Sequence, residues 1–276
     1  MGYQVRNITD FMNDGNADEI SGILQNKLIK HALEKGAWLA GGFPRQILLG
    51  RSIQSYFNPR GDSPHGDIDV FSPTAACAQE IASTVNPFPS QGGFAKNTSA
   101  LIPLVARVTV QIVDDPNLCH KTVEDCFDSF DFVNCQAAIK GDKIIFNDEI
   151  FDLEERKLLK LTSSNTPFLG SRIIKYVKHR GMVGITDDSI HHLSDWLVKS
   201  SMNAFPGYNS RHLTGIESAV KRLAKEDVLR KDDFLFFLGK WQHVINNRGS
   251  YGKNANIIVD WASHHLKDPK EASCVI

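Results

Sequence analysis

Ala40-Gly41-Gly42-Phe43-Pro44-Arg45 and, one helix and one loop further on, Gly66-Asp67-Ile68-Asp69-Val70-Phe71 are the two stretches whose reading decides the fold. A polyphosphate asks two things of a protein: backbone that approaches closely, and carboxylates that hold the divalent ions neutralising its charge. Adjacent glycines remove the Cβ atoms that would keep phosphate oxygens away from backbone N–H groups, and a following helix aims its positive end at the same spot. Asp67 and Asp69, two residues apart on a short strand, point to one face and can share metal ions. Gly-Gly pairs and Asp-x-Asp triplets are each common in loops. Their order and spacing here give them weight. Asp67 and Asp69 are therefore read as ligands of Mg²⁺ or Mn²⁺, and Gly41 and Gly42 as the cradle for the phosphates of an NTP. Arg45, one helical turn in, is assigned to a phosphate as well, with an ion pair to an acid of the fold as the alternative.

Working outward, Ile20, Ile23, Leu24, Leu28 and Leu33 predict one helix over 17–35, ended by Gly36. A short buried strand over 37–40 leads into the Gly-Gly turn, and a helix carries Arg45, Ile47, Leu48 and Leu49 to Gly50. Pro59, Gly61, Pro64 and Gly66 predict a loop over 51–66. A strand at 67–71 and a helix at 73–85 follow, then a loop at 87–97. Strand signals return at 101–102 and, with β-branched residues, at 108–113. A helix is expected near 119–127, and strands at 130–139 and 143–146, joined through Gly141-Asp142. Beyond Thr166-Pro167 the pattern turns helical, at 172–180, 188–199, 211–225, 232–246 and 256–266.

With 276 residues, 42% hydrophobic and 23% charged, the chain can bury one large core or two modest ones. A formal net charge of −1 excludes a strongly basic nucleic-acid coat protein and leaves room for a local basic face. Such a face is suggested by Lys157, Lys160, Arg172, Lys175, Lys178, His179 and Arg180, which can equally be a solvated helix face. Five cysteines with no C-x-x-C pair argue against a disulfide framework or a structural zinc site. His191-His192 and His264-His265 have no acid or cysteine at ligand spacing. Met1–Asp14 lacks the pattern of a signal peptide, and no apolar run is long enough to span a bilayer, so a cytoplasmic protein without membrane partners is expected.

The order strand, Gly-Gly-x-x-Arg, helix, Asp-x-Asp strand resembles the nucleotidyltransferase superfamily, specifically the head domain of poly(A) polymerases and CCA-adding enzymes of the bacterial type. Gly42-Phe43-Pro44-Arg45 through Leu48-Leu49-Gly50, and then Asp67-Ile68-Asp69, carry the resemblance. A weaker echo is Glu124-Asp125-Cys126 followed by Phe130-Asp131-Phe132-Val133-Asn134-Cys135. The chain looks closest to unassigned phage or viral nucleotidyltransferase-like proteins with a similar Phe-Asp-Phe block. Two departures stand out. Ser129 and Phe130 replace a pair of arginines, which speaks against CCA synthesis, and Gln111 stands at the centre of a strand where many members carry a third carboxylate. Asp131 is the replacement candidate for that third acid, with an ion pair to a nearby arginine as its other reading.

The expected fold class is α+β: a nucleotidyltransferase-type mixed sheet with flanking helices over 1–165, then an all-helical part over 166–276. The resemblance implies Mg²⁺-dependent transfer of an NMP from an NTP to a hydroxyl of an RNA, a tRNA end among the options, or of a protein. The competing expectation is a catalytically inactive module of this fold that captures a nucleotide or a host protein.

Overall fold

The computed structural model describes residues 2–58, 65–85, 88–89, 95–162 and 169–189, with 192, 193 and 196. It divides into two compact units, Met1–Glu154 and Glu155–Ile276.

The first unit is built on a mixed eight-stranded sheet. Its strands are β1 (Tyr3–Asn7), β2 (Trp38–Ala40), β3 (Asp67–Phe71), β4 (Phe88–Pro89), β5 (Ala95–Ile102), β6 (Ala106–Val113), β7 (Ala137–Lys140) and β8 (Lys143–Asn147). They lie in the order β1-β8-β7-β2-β3-β6-β5-β4. β3 and β6 run parallel, and their neighbours pair antiparallel. The helices are α1 (Ala17–Leu24), α2 (Lys27–Glu34), α3 (Gly42–Leu48), α4 (Ile53–Phe57), α5 (Ala75–Ser83), α6 (Val123–Asp128) and α7 (Glu149–Arg156). This is the α+β class expected for the head.

Each sheet face has its own core. Ile68 and Val70 of β3, Val108, Val110 and Ile112 of β6, and Ile139 of β7 pack with Ile20, Ile29, Phe43, Ile47, Phe57 and Ile81 from the helices. Trp38, Ala40, Phe71, Ala95, Val113 and Ala138 face the other way and meet Val123, Cys126 and Phe127 of α6. Strand alternation puts Asp67 and Asp69 on this second face, on the same side as Phe71. The main core thus fixes β3 from behind and leaves its carboxylates to the thinner side.

Four expectations are corrected. The single helix over 17–35 is two, because the Asn26 side chain accepts from Leu28 N–H at 3.1 Å and starts α2 afresh. The loop over 51–66 contains α4, capped by Ser52 Oγ on the Ser55 N–H, with Ile53, Tyr56 and Phe57 buried at i, i+3 and i+4. β5 begins at Ala95 although its sequence is poor in β-branched residues, since it pairs with β6 along its full length. The strand over 130–139 is broken. Phe130 N–H bonds to Phe127 O, Cys135 N–H to Phe132 O, and a 3-10 turn at Val133–Cys135 precedes β7, so Asp131 sits in a bend and not on a strand.

In the second unit, β9 (Leu158–Leu159) pairs in parallel with β10 (Gly184–Ile185). α8 (Leu169–Arg180) buries Leu169, Ile173 and Val177, a stripe at four-residue spacing. α8 covers the helix expected over 172–180. Apart from residues 188, 189, 192, 193 and 196, the helices expected from 188 onward lie outside the described residues. No described helix is long and apolar enough to cross a membrane.

Candidate active site

Gly41 has φ +88° and ψ −127°, a backbone state that L side chains rarely adopt. Its N–H donates to Ala137 O at 2.9 Å, which ties the turn to β7. A Cβ on Gly41 would lie 3.6 Å from Asp69 Oδ2. The glycine turn and the second carboxylate are therefore immediate neighbours, as the two quoted stretches required. In register, Asp69 lies between Ala40 of β2 and Gln111 of β6, and Asp67 lies beside Thr109.

Gln111 bears directly on the carboxylates. Its Nε2 donates to Asp67 Oδ2 at 3.0 Å. The polar surface then runs on across β5, where Asn97 stands opposite Gln111 and Ser99 opposite Thr109. Asn97 Oδ1 is buried without a hydrogen-bond partner. The face thus passes from an apolar end under α6 to a polar end around the two aspartates.

Tyr56 fastens the two halves of the site together. Its hydroxyl donates to the Asp67 carbonyl at 3.2 Å. A Cβ on Gly42 would fall 2.2 Å from the Tyr56 oxygen, and one on Gly66 would fall 2.3 Å from Cε1 and 2.5 Å from Cδ1 and Cζ of its ring. The tyrosine is thus clasped between the glycine of the turn and the glycine that leads into β3. Gly66→Ala is expected to push this buried ring out of place at a cost of about 1–3 kcal/mol, seen as a lowered thermal midpoint. Tyr56→Phe, which keeps the ring and loses one hydrogen bond, is expected to cost only about 1 kcal/mol.

Arg45 is 1% exposed, with Nη1 3.4 Å from Glu154 Oε1. Glu154, 3% exposed, also accepts from Arg51 Nη2 at 2.7 Å through its other oxygen. The structure thus gives Arg45 the ion pair that was its alternative reading, beneath the turn, where it anchors α3 to α7. Asp131 is buried at 6% exposure in its bend. Among the described residues, no three His, Cys, Asp or Glu side chains are grouped so as to hold a metal ion. His65, two residues before Asp67, donates its ring Nδ1–H to Phe57 O at 2.8 Å and so holds α4 against the entry to β3. Burial pushes the Cys126 thiol up to about 12, and the nearby Asp69 charge adds to this against a Trp38 contact that pulls the other way. At neutral pH that thiol is protonated and is no nucleophile.

Tyr56 and Glu154 are the residues that sequence reasoning missed. A glycine directly before the first aspartate was the available signal for Tyr56, since it marks a close approach. Glu154 left none, because a single acid among Asp152, Glu154 and Glu155 has no pattern of its own.

Several solved structures are similar. They include the Thermotoga maritima CCA-adding enzyme complexed with tRNA (11% identity, 99% of this chain and 84% of that one, TM-score 0.41). A CCA-adding enzyme with CTP shares 12% identity over 99% of this chain and 84% of that one, at TM-score 0.48. A tRNA-processing enzyme with CTP shares 13% over 81% and 58%, at TM-score 0.40. No curated protein sequence matches the chain. A family model described as Gabija anti-defense 2 family protein matches residues 6–157, more than half of the chain and a span that holds Gly41, Asp67, Asp69, Gln111 and Glu154, so the chain belongs to the Gabija anti-defense 2 family.

Proposed function

We propose that this protein is a Mg²⁺-dependent nucleotidyltransferase that moves a nucleoside monophosphate from an NTP onto a hydroxyl of an RNA or protein acceptor, and that this reaction serves the anti-defense role its family name states. The observation that carries the reading is the adjacency of the Gly41 turn and Asp69 on the same face as Asp67. Two hard carboxylate oxygen donors on one strand suit Mg²⁺ or Mn²⁺, with water and phosphate oxygens to complete the shell. When bound, the metal neutralises phosphate charge and eases departure of pyrophosphate.

The chain's own part is positional. The turn lets the triphosphate approach the backbone closely at Gly41 and Gly42, Asp67 and Asp69 would hold the metal, and the polar face across Gln111 and Asn97 receives the acceptor. The acceptor oxygen forms a bond to the α-phosphorus as the bond to pyrophosphate breaks, and the hydroxyl proton leaves to water. Arg45 supports this site from below through Glu154.

Incubating the protein with each α-³²P-labelled NTP and a cell lysate, then separating RNA from protein, tests the reading. Transfer of label from at least one NTP into one of the two fractions is expected. No transfer from any of them would count against it.

A second reading has one observation in its favour. Gln111 occupies an oxygen of Asp67 with a neutral donor, as a site that had given up catalysis for capture would allow. Mg²⁺-dependent NTP binding by calorimetry with no turnover on total RNA or lysate would select this module.

A further inference from the structure

Beside β5, on the opposite side of the sheet from the aspartates, a cavity of about 480 Å³ opens between the start of α2, the end of α5 and the strand. Alternation along β5 separates the two sites. Asn97 and Ser99 share a face with Gln111 and Thr109, whereas Thr98 and Ala100 face the main core with Val110. The volume is that of a pocket for a small organic ligand, typically ~300–1,000 Å³.

The polar groups at this cavity are rich in donors. Lys27 is exposed and takes part in no ion pair among the described residues. The Asn26 side-chain oxygen is committed to Leu28 N–H at 3.1 Å, which leaves its amide NH₂ to donate elsewhere. His31 Nε2 is buried without a hydrogen-bond partner. Thr98 is 7% exposed, and its hydroxyl has no partner among the described residues. Buried polar groups left in this state cost free energy that a ligand supplying acceptors recovers. No Asp or Glu lines the cavity. Glu80, whose carboxyl is influenced by His31, is already ion-paired with Lys35. The first turn of α2 carries no acid either, so the positive end of that helix acts in the same direction as Lys27.

A lysine meets phosphate as a point charge, whereas recognition of a planar carboxylate favours the guanidinium fork. The ammonium, ring, amide and hydroxyl here come from two separate elements, which suits the several acceptor oxygens of a phosphate group. Leu28, Val85 and Leu101 supply an apolar wall for an uncharged body attached to it. We propose that this cavity binds a phosphomonoester of about mononucleotide size, its phosphate at the start of α2 and its body against Leu28, Val85 and Leu101. The site needs no metal, and it does not depend on the transfer reaction assigned to the other face.

The test is made on the full chain in EDTA, so that metal-dependent binding at the aspartates is silent. An equimolar mixture of the four ribonucleoside 5′-monophosphates and ribose 5-phosphate is titrated with protein, and broadening of each phosphorus resonance line is followed. Wild type and Asp69→Asn are both expected to broaden at least one line, and inorganic phosphate is expected to compete. Lys27→Gln is expected to weaken binding by about 10-fold or more, the size of one charged hydrogen bond. Thr98→Val is expected to act in the same direction, with the thermal midpoint as the check on its folding. Lys27 is exposed, so its replacement leaves the fold intact and decides the matter alone if the second variant unfolds. No broadening by wild type would overturn the proposal. So would broadening that Lys27→Gln leaves unchanged, or that Asp69→Asn abolishes, since either result puts the ligand elsewhere.

Discussion

Asp69→Asn is expected to lower label transfer from every α-³²P NTP to background, by about 10³-fold or more, with little change in thermal midpoint. Metal-assisted neutralisation of phosphate charge is worth several kcal/mol in the transition state. Each 1.4 kcal/mol or so is tenfold in rate, so removing one of two anionic ligands reaches that size. Asn keeps the shape of Asp and one oxygen, and Asp69 is half-buried on the thinner side of β3 while Ile68 and Val70 pack into the main core. The loss therefore belongs to chemistry and not to folding. Asp67→Asn is expected to act in the same direction. Undiminished transfer by either variant, measured beside wild type at equal concentration, would remove the carboxylate pair from the mechanism.

Glu154→Ala is expected to destabilise the first unit by about 3–5 kcal/mol, because it removes a buried carboxylate that two arginines share. Arg45 is 1% exposed, and Glu154 stands 3.4 Å from it. The same carboxylate takes a 2.7 Å hydrogen bond from Arg51, which is a third exposed and can turn to water once the acid is gone. Arg45 is buried and cannot turn to water in the same way. Against a total stability of about 5–15 kcal/mol for an ordinary domain the effect is severe. Urea unfolding measures it directly, and a midpoint within a few tenths of a molar of wild type would show that Glu154 is dispensable. Since α3 leaves the Gly41 turn and carries Arg45, a weakened anchor is also expected to loosen nucleotide binding before the fold is lost.

The strand, turn and helix around Gly41, and the strand of Asp67 and Asp69, were legible because each rests on local chemistry: a glycine where φ is +88°, and alternation that separates Asp67 and Asp69 from Ile68 and Val70. Elements set by distant partners were not legible. β5 is a strand because β6 pairs with it, α4 forms where breakers on either side suggested a loop, and the Phe130–Cys135 segment turns because of bonds back to Phe127 and Phe132. The same division runs through the site. The carboxylate pair and its glycines read from spacing, and Gln111 announced itself as a missing acid. That Gln111 donates to Asp67, that Tyr56 is clasped by Gly42 and Gly66, and that Arg45 answers to Glu154 depend on contacts across tens of residues.

The central claim is that the glycine turn and the aspartate pair form one metal-dependent nucleotide site. Calorimetric titration of NTP into the purified chain tests it most directly, with Mg²⁺ or with EDTA, for wild type and Asp69→Asn. The account predicts NTP binding by wild type that requires Mg²⁺ and vanishes in the folded variant. Equal affinity in EDTA, or in Asp69→Asn, would contradict it.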